Sequence, residues 1–95
     1  MDKIGCLRAF VNVVEAESFS EAARRLGVSK AQISKQVGQL EAELGVRLLP
    51  RTTRRVSASI DGRAYFERCH PLLAELDELD TAIRSSDVKP CGELR

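Results

Sequence analysis

Two serines, each followed three residues later by a side chain able to return its hydrogen bond, flank a single glycine: Ser18-Phe19-Ser20-Glu21, then Gly27-Val28, then Ser29-Lys30-Ala31-Gln32. In such a capping box the serine hydroxyl accepts the amide of the third residue, and that residue's side chain reaches back to the serine amide. Gly27 takes the left-handed conformation at little cost and so ends the first of the two helices after Leu26. A chain that must stop one helix, turn within two residues and start another has few folds open to it. The pattern predicts a helix-turn-helix.

The rest of the chain fits around that unit. Ile4, Leu7, Phe10, Val11 and Val14 recur three or four residues apart, which predicts a helix from about Asp2 to Glu15 with this face in the core and Val13 as an extra contact. Ala22 and Ala23 are small enough for another helix to pass close. In the helix after Ser29, the stripe Ile33, Val37, Leu40 and Leu44 must face inward, and Gly45 ends it. The opposite arc is Ala31, Lys35, Gly38 and Ala42, flanked by Gln32, Ser34 and Gln39, with no acidic residue among them.

Val46-Arg47-Leu48-Leu49 and Val56-Ser57-Ala58 read as short strands bracketing Pro50-Arg51-Thr52-Thr53-Arg54-Arg55, a hairpin wing with a basic tip. After Ser59 comes a long helical stretch in which Tyr65, Cys69, Leu72, Leu76, Leu79 and Ile83 repeat as a heptad seam. Pro71 lies inside it, removing one backbone bond and crowding the Glu67 carbonyl, so a kink or a break is expected there. Beyond Ser85 the period is lost and Pro90 and Gly92 appear, as in a hinge. The expected fold is mainly α: a winged helix-turn-helix of three helices and a two-stranded wing over 1–58, then a linker helix for dimerisation over 59–85. Three helices already cover one another, which leaves the seam for a partner copy, and a chain of 95 residues gains from such added burial.

Several function classes drop out. No apolar run is long enough for a membrane span, and Met1-Asp2-Lys3-Ile4 does not open a signal peptide, so a cytoplasmic protein is expected. Cys6, Cys69 and Cys91 are odd in number and widely spaced beside a single histidine, which suggests reduced thiols rather than disulfides or a metal site. His70 has no accompanying nucleophile, and no carboxylate pair or glycine-rich phosphate loop is present, so neither catalysis nor a cofactor is expected. The formal net charge of +1 hides an asymmetry: residues 24–55 carry eight basic and two acidic side chains, residues 56–95 five basic and eight acidic.

A basic middle is the footprint of a surface that meets phosphates. Reading the major groove needs a helix whose first half is polar, short in side chain and free of carboxylates; Lys30, Gln32, Ser34, Lys35 and Gln36 supply it. Gln suits adenine, Lys suits guanine or phosphate, and Ala31 can touch a thymine methyl. Arg51, Thr52, Thr53, Arg54 and Arg55 in a tight loop suit phosphates or a narrow minor groove. The competing reading is a protein-interaction module, with the leucine seam as working surface and mixed dimers as its product.

Phe10-x-x-Val13, Glu15-x-x-Ser18-Phe19-x-x-Ala22-Ala23-x-x-Leu26-x-Val28-Ser29, and then Ser34-Lys35-Gln36-Val37-x-x-Leu40-Glu41-x-x-Leu44-Gly45-x-x-Leu48-Leu49-x-Arg51 with Arg54-x-Val56 resemble the LysR-type transcription regulators over nearly the whole chain. The resemblance implies that Lys30, Ala31 and Gln32 approach bases, that Ser34, Lys35 and Gln36 hold the backbone or neighbouring bases, and that Arg51 and Arg54 are wing contacts. It also implies a homodimer on double-stranded DNA of dyad symmetry, with reading helices at successive major grooves about 34 Å apart. Ala58-Ser59-Ile60-Asp61-Gly62 departs from the family's Leu-Thr-x-Ala-Gly, Leu49 replaces a common phenylalanine, and Lys30 a frequent glutamine. Residues 86–95 resemble the hinge and first strand of an effector-binding domain. On that resemblance the chain is expected to be a fragment of a longer regulator, with any small-molecule inducer site in the missing domain.

Overall fold

The structure, a computed structural model, describes residues 2–50 and 56–85. Four helices follow in order: α1 (Lys3–Ala16), α2 (Phe19–Leu26), α3 (Lys30–Leu44) and α4 (Ile60–Ser85). Each of the first three starts where a side-chain oxygen replaces a missing intrahelical partner: Asp2 accepts the Gly5 amide, Ser18 the Glu21 amide and Ser29 the Gln32 amide. Gly27 and Gly45 stop α2 and α3 in the left-handed conformation. The return half of the first box is replaced by an ion pair, because the Glu21 carboxylate turns to Arg24 and Arg25 on its own helix.

The helix α1 is central and packs against α2, α3 and α4, while α4 touches α1 alone among the helices. The core joins Phe10, Val13 and Cys6 of α1 to Ala22 and Ala23 of α2, to Ile33, Val37 and Leu40 of α3, and to Leu48 and Leu49. Ala22 and Ala23 are buried as their size demands. Ile4, expected in that core, is 42% exposed: it stands in the first turn of α1, at the edge of the three-helix packing.

The wing arms differ from expectation. Neither Val46–Leu49 nor Val56–Ala58 is a regular strand among the described residues. The amides of Leu48 and Leu49, which a ladder would use, are both given to the Glu41 carboxylate at 2.9 Å. The arms are joined instead at Ser59, whose amide donates to the Leu48 carbonyl at 2.9 Å and whose hydroxyl donates to the Arg47 carbonyl at 2.7 Å. The same hydroxyl accepts the Gly62 amide at 2.9 Å and so caps α4, as its sequence position predicts. The architecture is that of a winged helix-turn-helix with a long helix behind it; the expected basic wing tip, 51–55, lies outside the described residues.

The helix α4 runs without a break through Pro71. Pro71 and Glu67 both face solvent, so water can take up the carbonyl that the proline leaves without a donor. Two polar ties hold α4 to α1 besides its apolar packing: Arg8 to Asp77 at 3.0 Å and His70 Nε2 to the Glu15 carboxylate at 2.8 Å.

Candidate nucleic-acid interface

The helix α3 divides cleanly. Ile33, Val37 and Leu40 are fully buried against α1 and α2, which fixes the rotation of the helix about its axis. Lys30, Ala31, Gln32, Ser34 and Lys35 are thereby all turned to solvent on its N-terminal half. No carboxylate stands between Lys30 and Gln39, so nothing there repels a phosphate or competes for a base edge. Gln36 is the exception among the expected contacts: it is half-buried and lies near the first turn of α1, where a Cβ on Gly5 would come within 3.2 Å of its amide nitrogen.

Below that face the outward side of α3 continues into a cleft of about 640 Å³ lined by Ser34, Gly38, Ala42, Gly45, Val46 and Arg47, with Glu41 at its inner wall. Gly38 is inside a helix and a Cβ built on it would meet nothing within 4 Å. A helical glycine costs roughly 0.5–1 kcal/mol against alanine, and no packing among the described residues requires it here. Gly62 is the opposite case: a Cβ there would fall 2.1 Å from the Leu48 carbonyl oxygen, so only glycine lets α4 begin this close to the first arm.

Glu41 is the polar residue that the sequence reading passed over. It is 7% exposed, and besides the two amides it accepts from the Arg47 guanidinium at 3.1 Å. The signal was present, since Ile33, Val37 and Glu41 share one spacing of four and hence one inward face. Arg47 was likewise read only as a strand residue; the structure puts it exposed at the mouth of the cleft.

The seam on α4 splits in two. Cys69 is 4% exposed and Tyr65 is half-buried with its ring 5.8 Å from that of Phe10, so both belong to the core of their own chain rather than to a surface open to a partner. Leu73, outside the heptad pattern, is buried with them, because a helix resting on α1 at one end turns that side inward. Leu72, Leu79 and Ile83 are 58%, 59% and 73% exposed, and Leu76 is exposed beside them. Together with Ile4 and Leu7, three of these leucines line an apolar groove of about 360 Å³.

The Arg24 guanidinium holds the Glu21 carboxyl down at about 2. Burial pushes the Cys69 thiol up, opposite to the depressed value a nucleophilic thiolate needs. Among the described residues no group of three or more His, Cys, Asp or Glu side chains is placed to hold a metal. No helix among them is long and apolar enough to cross a membrane.

The family model for bacterial regulatory helix-turn-helix proteins of the lysR family matches residues 4–63. An HTH-type transcriptional repressor of Pseudomonas aeruginosa is 50% identical over 95 residues, which is all of this chain and 30% of that protein's length. This chain therefore spans less than a third of that relative. Among solved structures, the BenM DNA-binding domain in a complex with catB site 1 DNA superposes with a TM-score of 0.83 at 32% identity, covering 93% of this chain and 98% of that one. The CbnR DNA-binding domain in its DNA complex gives a TM-score of 0.76 at 33% identity, covering 90% of this chain and 98% of that one. The match of the family model across the helix-turn-helix and the start of α4 shows that the chain belongs to the lysR family of bacterial regulatory helix-turn-helix proteins.

Proposed function

We propose that this chain binds double-stranded DNA sequence-selectively, as a homodimer, and serves as the DNA-binding part of a transcription regulator. The observation that carries the reading is the exposed, carboxylate-free N-terminal half of α3, held at a fixed rotation by its buried stripe. Lys30, Ala31 and Gln32 are the base-edge candidates, and Ser34 and Lys35 the phosphate or flanking-base candidates. Gln36 acts from the side of α1 rather than from the reading face. Arg51, Thr52, Thr53, Arg54 and Arg55 add phosphate or minor-groove contacts from the wing. The structures that the fold resembles include DNA-binding domains described in complex with DNA, which supports this use of the same helices.

The partner copy is assigned to the lower part of α4, through Leu72, Leu76, Leu79 and Ile83, and the operator is accordingly expected to have dyad symmetry. The chain acts in the cytoplasm, where the DNA is, and is not an enzyme. A second reading, an interaction module without DNA specificity, draws on the same exposed leucines.

One titration separates them: fluorescence anisotropy of the chain against duplex from upstream of its own gene and against a shuffled duplex, at several salt concentrations. Tighter, salt-weakened binding to the native duplex is expected. Equal binding to both reduces the function to electrostatic association, and no binding at low salt leaves the interaction module.

A further inference from the structure

Among the described residues, the cleft along the second half of α3 has no task in packing. Its floor is Gly38, whose missing side chain leaves space that none of the described residues fills, and Ala42 beside it is also small. Its mouth carries the Ser34 hydroxyl on one side and the exposed Arg47 guanidinium on the other. The one carboxylate in its wall, Glu41, is occupied by two backbone amides and by Arg47 itself, so the cleft presents a net donor surface. Ser34 belongs both to this cleft and to the exposed face of α3, which makes the two continuous.

We infer that this cleft seats a sugar-phosphate strand of duplex DNA between the reading helix and the base of the wing, with Gly38 as the floor that permits close approach and Arg47 as a phosphate contact oriented by Glu41. The inference rests on the DNA-binding reading above and adds two residues to it. A sugar-phosphate strand is the occupant that the chemistry selects: it is anionic, narrow and met by donors, and it adjoins bases that the neighbouring part of α3 would read. A helical position that only faced solvent would gain from almost any residue other than glycine or proline. Arg47 is tied on one side to a buried carboxylate, so its planar fork is held in place before the phosphate arrives.

The test uses the 95-residue chain and three variants, Gly38→Met, Gly38→Ala and Arg47→Gln, in the same anisotropy titrations, with thermal melts by circular dichroism alongside. Methionine is a good helix former with an unbranched side chain, so Gly38→Met should melt at or above the temperature of the unsubstituted chain while its affinity falls about ten-fold or more for native and shuffled duplex alike. Gly38→Ala should also melt higher and bind more weakly, by less. Arg47→Gln should weaken both duplexes equally and reduce the slope of log affinity against log salt by about 0.9, the signature of one lost phosphate contact.

Unchanged affinity in Gly38→Met together with an unchanged salt slope in Arg47→Gln, while the unsubstituted chain still prefers the native duplex, overturns the cleft and leaves the DNA reading intact. Failure of the unsubstituted chain to bind either duplex overturns both. If Gly38→Met does not fold, the salt slope of Arg47→Gln decides alone.

Discussion

The carboxylate of Glu41 accepts the backbone N–H of Leu48 at 2.9 Å, and through that bond the reading helix carries the first arm of the wing with it. The same oxygen takes the Leu49 amide, and both leucines are almost wholly buried. A carboxylate is worth burying here because three donors among the described residues converge on it.

Removing that carboxylate should therefore cost more than its size suggests. Glu41→Ala leaves two buried amides without this acceptor, at roughly 1–3 kcal/mol each, and we expect about 3 kcal/mol of lost stability. Glu41→Gln keeps an oxygen for the amides but gives up the charge-assisted bond to Arg47, for about 1 kcal/mol. Urea denaturation of the three proteins measures both, and a Glu41→Ala protein as stable as its parent would mean that the carboxylate does not hold the turn.

Two glycines should respond in opposite directions to the same methyl group. Gly38→Ala fills open space and improves helix propensity, so it should stabilise by about 0.5–1 kcal/mol and raise the melting temperature by roughly 2–8 °C. Gly62→Ala drives a Cβ into the Leu48 carbonyl and should destabilise by about 1–3 kcal/mol. Paired thermal melts settle it, and a stabilised Gly62→Ala protein would contradict the close approach of α4 to the arm.

What was legible in the sequence follows from how local each signal is. Ser18, Ser29, Gly27 and Gly45 act within one helical turn, and all four do in the fold what their positions predict. The strands around the wing were less so: their period is written in Val46–Leu49, but the competitor for their amides, Glu41, comes from another element. The seam on α4 misled for a related reason. A heptad records which side of a helix is apolar and not which body covers it, and within the chain Tyr65 and Cys69 are covered while Leu79 and Ile83 are left largely exposed. The reading face of α3 was predictable because a buried stripe determines its own opposite; the cleft below it was not, since Arg47 reaches it from beyond Gly45.

The thiols of Cys6 and Cys69 should be protected in the native protein and make it less stable in alkali. Burial raises both above their ordinary value, so the unfolded chain gives up these protons first as pH climbs. Their contribution is whole below the unfolded value of 9.0 and is lost as pH rises through the folded one. Site-resolved alkylation at pH 8 should find Cys6 and Cys69 slow in buffer and fast in urea, and rapid native labelling of Cys69 would refute its place in the core.

The two halves of the α4 seam should separate experimentally. Burying a leucine against a partner gains roughly 1.5–3 kcal/mol, and two copies contribute twice, so Leu79→Glu should turn a dimer into a monomer at micromolar concentration. Its fold should be unaffected, because Leu79 is 59% exposed within the single chain. Cys69→Ala should behave in the reverse way: Cys69 is buried under α4 against the chain's own core, so its melting temperature should fall while its association is unchanged. Sedimentation equilibrium on both proteins reads the difference. A Leu79→Glu protein that stays dimeric would move the partner surface elsewhere. Loss of the dimer should also weaken binding to a dyad-symmetric duplex far more than to a half-site, since the second reading helix then has to be captured from solution instead of arriving tethered to the first.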